Sequence, residues 1–274
     1  MKVDSWWRFL FHCSYCLCLC DSQGAHSDRY WSLLSQVSDI GNNKIVVGVR
    51  FVKKNRVVHL EIEQATALSE GNINPSSREW IEAAELDVSN ATQKELGYFK
   101  TMTYEERALD MDHILAPNGY VITGVRLRNL GGHLNMEVRV TPIRFSSGQL
   151  ISERTVWIGN DNTPASLPKR TQQEIISPDI PTKYMGMSKI DSQTNQFILF
   201  GATSALKDVS QTTVPYIDSQ YVSPKVGSWL SGVGLYHKGA IGYGGYVGAM
   251  VTTYDLSRHL VPKKLNSNYA YTIQ

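Results

Sequence analysis

Beyond residue 20 the 274-residue chain contains no cysteine, so neither disulfides nor thiolate-bound metal can hold the remainder, and a packed core must do so. No apolar run approaches the roughly 20 residues that span a bilayer as a helix. The net charge is only +2 and no basic stripe stands out. Lys169-Arg170 and Lys263-Lys264 read as solvated loop charges, which argues against a nucleic-acid partner. Helical periodicity is scarce: only Trp80 to Leu86 and Gln93 to Phe99 suit a turn or two. G-x-S-x-G is absent, and Ser231-Gly232-Val233-Gly234 precedes a strand rather than opening a helix. With no convincing nucleophile–base pair either, the expectation is a non-enzyme without a cofactor.

What the chain does contain is a phrase written twice and then more weakly. Val46-Val47-Gly48-Val49-Arg50-Phe51 is answered by Ile122-Thr123-Gly124-Val125-Arg126-Leu127, and then by Leu230-Ser231-Gly232-Val233-Gly234-Leu235. Ten, twelve and fourteen residues after the first two glycines the chain is apolar again, at Val58, Leu60 and Ile62 and at Leu134, Met136 and Val138. After Gly232 the last offset falls on Tyr246. A repeated strand–turn–strand phrase predicts repeated β-units. Short alternating runs such as Ile45–Val52, Val57–Gln64, Tyr120–Arg128, His133–Ile143, Trp229–His237 and Tyr246–Asp255 agree, separated by turn signals such as Asn129 to Gly132. A glycine before each Val marks a bulge or a close backbone approach. No single sheet could bury its apolar face alone, so Leu60, Met136 and Val247 should meet in one core. The expected class is all-β: three Greek-key sheets with pseudo-threefold symmetry over residues 28–260, after a Cys/Trp-rich arm (1–27) and before a tail (261–274). Asn160 to Met187, with four prolines, reads as a long ordered loop.

The cysteines Cys13, Cys16, Cys18 and Cys20 crowd into eight residues. Local disulfides, a bound metal and free or intermolecular thiols all remain open. Met1-Lys2 followed by Trp6 to Cys20 resembles a signal peptide that Asp4 and Arg8 interrupt, a truncated start being the competing reading. One sequon, Asn90-Ala91-Thr92, offers a glycosylation site. Together these point to a secreted, extracellular protein. Trp6, Trp7, Tyr30 and Trp31 read as a patch packing the arm onto the domain, or as a partner surface.

Several stretches resemble a family of uncharacterised insect extracellular proteins that carry a domain of unknown function. They are Cys16 to Asp21, His26 to Tyr30, the two Gly-Val-Arg phrases, Leu109 to Gly119, Gln211 to Tyr216 and Leu230 to Gly239. The threefold β-repeat resembles β-prism proteins, namely jacalin-like lectins and vitelline membrane outer layer protein. That resemblance implies a sugar site on a glycine-pair loop with a partner aspartate, carried here by Tyr243, Gly244, Gly245, Tyr246 and Asp255; the family's Gly-x-x-x-Asp loop is not matched. Asp110-Met111-Asp112-His113 sets two carboxylates on one strand face, as a calcium site or an acid–base pair would, against a solvated strand end. The functional expectation is a glycan-recognising, non-catalytic binding protein. The alternative is a structural matrix or cuticle-associated protein assembling through protein contacts or disulfides, with its oligomeric state open.

Overall fold

The computed structural model describes residues 28–161 and 170–260, together with the backbone of four short strands, Lys2–Asp4, Trp7–Arg8, Phe11–His12 and Leu17–Leu19. The chain is all-β. Its frame is three antiparallel hairpins: β1 (Lys44–Lys54) with β2 (Val57–Thr66), β3 (Tyr120–Leu130) with β4 (His133–Arg144), and β5 (Leu230–Gly239) with β6 (Tyr246–Thr253). Each lies in a separate sheet. Among the described residues no helix is long and apolar enough to cross a membrane. Of the two stretches with helical potential, the second overlaps the short helix Ala91–Glu95, whereas Trp80 lies in the strand Glu79–Ile81.

The repeated glycine sits at the same point in all three hairpins. The ladder slips by one residue between Val46 and Gly48, between Ile122 and Gly124, and between Leu230 and Gly232. These are β-bulges, and a second chain segment presses against each of them. A Cβ on Gly124 would meet the Gln36 carbonyl at 2.8 Å, and one on Gly232 would meet Leu115 Cδ2 at 2.7 Å. The first two hairpins close in two-residue turns with both φ angles positive, Asn55-Arg56 and Gly131-Gly132, which preserves their common register. The third does not follow suit. Tyr246 pairs with Lys238 and so corresponds to Val57 and His133, although it follows its glycine by 14 residues rather than nine. The additional residues form the turn Ala240–Gly245.

With that shift, Val58, Leu134 and Val247 are register equivalents, as are Leu60, Met136 and Ala249. All six lie in one apolar cluster with Phe51, Val125, Leu127, Val233 and Leu235. Burying each large side chain is worth about 1.5–3 kcal/mol. Trp31 joins this core edge-on to Phe51, and Tyr30 packs on Phe99, so neither belongs to an outer patch. The side chains of Trp6 and Trp7 lie outside the described residues.

Short segments pass from sheet to sheet. Tyr30–Ser32 runs parallel to β2, after which Gln36–Val37 pairs with β3 at Gly124. Ala108–Met111 runs parallel to β4, after which His113–Leu115 pairs with β5 at Gly232–Gly234. Tyr216–Ile217 runs parallel to β6, after which Val222 bridges to Val49 of β1. The hand-over thus runs from the first hairpin to the second, to the third and back to the first.

Candidate functional site

Register equivalence shows what differs between the hairpins' outer faces. In the first, Arg50 bonds Glu61 at 2.7 Å and stacks 4.1 Å from the ring of Trp80, which the flanking strand Glu79–Ile81 brings onto β2. In the second, Arg126 bonds Glu137 at 2.6 Å and stacks 4.3 Å from Trp157, brought by Val156–Gly159. Burial alone would raise the Glu61 carboxyl; the Ala83 N–H, then Arg50 and Lys54, hold it below the usual carboxylate range. In the third hairpin Gly234 stands where the arginines do and Met250 where the glutamates do. Among the described residues no strand flanks β6 at the corresponding place.

That third face has a glycine floor and aromatic walls. A Cβ on Gly248 would come within 2.8 Å of the Tyr236 ring, so its absence lets the ring lie across the strand. Tyr216 and Tyr246 meet edge to face at 6.1 Å, and Lys238 Nζ sits 5.6 Å over Tyr246 while bonding Asp218 at 2.6 Å. The Asp218 bond holds the Lys238 ammonium above its ordinary range, against a smaller contrary effect of burial. His113 closes the far side, its Nε2 lying 2.7 Å from Thr252 Oγ1. The three tyrosines are half-buried. Polar donors and acceptors beside ring faces suit a hydroxyl-rich ligand with apolar C–H edges.

The expected glycine-pair site comes apart. Gly244 is packed so closely that a Cβ would lie 2.3 Å from Val214, and its N–H donates to the Asp179 carbonyl. Gly245 has φ +66° and its carbonyl accepts from Tyr216 N–H. Tyr243 leans on Tyr184 at 5.0 Å. Asp255 lies beyond the other end of β6, roughly 23 Å away at about 3.3 Å per residue, where it accepts from Ser257 N–H. Only Tyr246 of the five faces the tyrosine surface. Beneath the turn, buried His237 places Nδ1 2.7 Å from Asp191 and Nε2 3.1 Å from the Gly244 carbonyl. Ser192 Oγ accepts from the His237 backbone N–H rather than from the imidazole, and the Asp–His pair clamps the turn.

Asp110 and Asp112 are fully buried, and an arginine occupies them. Arg170 Nη1 and Nη2 donate to the two Asp112 oxygens at 2.9 and 2.5 Å, and Nε lies 3.2 Å from Asp110. Asn135 donates to Asp110, and Asn160 and the Asn195 N–H donate to Asp112. The histidine that joins is His133, 2.7 Å from Asp110, not the neighbouring His113. Among the described residues no three His, Cys, Asp or Glu side chains gather to hold a metal ion. Arg170, read from sequence as a solvated charge, has only 2% of its side chain exposed.

Asn90 is exposed at the start of the helix Ala91–Glu95, where its side chain accepts from Gln93 N–H. The side chains of Cys13, Cys16, Cys18 and Cys20 lie outside the described residues. His59 is buried and its Nε2 has no hydrogen-bond partner. Burial first, then Lys54, holds it below the ordinary 6.5, against the pull of Glu61. Burial does the same to His113. A depressed histidine contributes stability that is present above pH 6.5 and lost as pH falls through its folded pKa. Urea midpoints should therefore drop between pH 6.5 and pH 5, and less so in His59→Leu; an identical drop in both proteins would refute this.

A family model described as a domain of unknown function (DUF4803) matches residues 1–62, a stretch that ends within β2. No curated protein matches the chain.

Proposed function

We propose that this is a non-catalytic, secreted binding protein that recognises glycan on the outer face of its third hairpin. In this reading the hairpins form the three sides of a β-prism-like body about a pseudo-threefold axis, a view supported by the shared bulge position and the cyclic hand-over of short segments. The observation that carries the functional reading is the loss, in one copy alone, of the Arg–Glu–Trp stack. In its place stand Tyr216, Tyr236 and Tyr246 beside the Lys238–Asp218 pair, over Gly234 and Gly248. Sugar rings present C–H faces that pack on tyrosine and hydroxyls that pair with charged side chains. The exposed sequon at Asn90 and the early cysteine cluster favour secretion.

A glycan array probed with the purified protein tests this. Retention should fall at least about tenfold in Tyr246→Ala and in Asp218→Asn, whereas Asp255→Ala should leave it unchanged. Binding indifferent to Tyr246 and Asp218 would sink the reading. Assembly through protein contacts is the second reading, favoured by Met185, Met187, Leu206 and Ile241, whose side chains are 86% exposed or more. Sedimentation and non-reducing electrophoresis of the same samples would then show multimers in place of glycan retention.

A further inference from the structure

A cleft separate from the tyrosine face opens between the strands Thr171–Gln172, Gln196–Leu199 and Gly201–Ala202. It encloses about 180 Å³ and is lined by Arg107, Gln173, Ile175, Leu199, Phe200 and Val214, among others. Its floor is firm, because Phe200 packs 5.6 Å from Trp31 and Val214 is buried against Gly244. Two of its polar groups are unmet. Arg107 stacks 4.5 Å from the Tyr104 ring but makes no ion pair among the described residues. Gln173 is held by one end of its amide, with Nε2 3.2 Å from His237 Nδ1, while its buried Oε1 has no hydrogen-bond partner. Turning the amide over would only exchange which end is unmet.

A buried amide end without a partner costs stability in the empty state, and a guanidinium without a carboxylate has both charge and bidentate geometry to offer. About 180 Å³ is room for a benzene-sized body. We propose that the cleft binds a small monocarboxylate with a compact apolar body. The body lies on Ile175, Leu199, Phe200 and Val214, one carboxylate oxygen meets Arg107, and Gln173, its amide turned so that Nε2 faces the cleft, donates to the other. This inference does not rest on the glycan reading, which concerns a different face.

The test is titration calorimetry of the whole protein with phenylacetate, hexanoate and the neutral analogue phenylacetamide. Both acids should bind saturably, and the amide at least about tenfold more weakly. Arg107→Gln should bring phenylacetate down to the amide's affinity and leave the amide unchanged. Ala202→Leu, which adds bulk to a residue lining the cleft, should abolish binding of all three. Equal affinity for acid and amide, no saturable binding, or binding that survives Ala202→Leu would each overturn the proposal. Should Arg107→Gln not fold, the acid–amide contrast in the unaltered protein decides alone.

Discussion

Replacing Arg170 with methionine should destabilise the protein by about 3–5 kcal/mol, because it removes the buried cation that contacts both interior carboxylates. Asp110 and Asp112 are 0% and 1% exposed, and Arg170 contacts both. The asparagines of the shell can donate hydrogen bonds but cannot neutralise charge. Adding Asp110→Asn and Asp112→Asn to Arg170→Met should recover much of the loss, since neutral groups of similar shape replace the pair. Urea unfolding followed by tryptophan fluorescence would show the midpoint fall with the slope unchanged. A loss below about 1 kcal/mol would place the arginine in water and refute the buried network.

Phe51→Ala should cost about 3–5 kcal/mol, from lost burial and from the cavity left behind. Its ring is 1% exposed and meets Trp31 edge-on at 5.9 Å. More informative is how the protein would then unfold. Phe51, Met136 and Leu235 come from three sheets yet share one apolar cluster, so truncating any of them should lower the same single transition. Met136→Ala and Leu235→Ala should each cost about 2–5 kcal/mol. A biphasic curve for Phe51→Ala, with the first sheet melting early, would mean separate cores.

How much of this was legible in the sequence varies by element, for physical reasons. The bulge glycines stand out because another segment crosses the hairpin there and crowds any Cβ to 3.0 Å or less, so the same residue recurs at the same point. The first two hairpins stay in step along the sequence because each closes in two residues. The third misled, because a longer turn moves every later residue out of step while leaving the alternation intact. The lectin resemblance joins Asp255 to Tyr246 in one sugar site, but an extended strand places the two far apart. Arg170 carried no local signal. Its burial is set by carboxylates about sixty residues earlier, and a Lys-Arg dipeptide looks the same on a surface loop. The tyrosine face did leave a trace: the third phrase reads Gly-Val-Gly where the others read Gly-Val-Arg.

The relay of border segments has a consequence for the history of the chain. Each unit borrows a margin from the one before it, and the last lends to the first. Excising any unit would leave one neighbour with a bare margin and another's leading segment with nothing to dock on, an invitation to self-association. Turns can lengthen freely, as the third has done, but each hairpin leans on a segment that leads away from another.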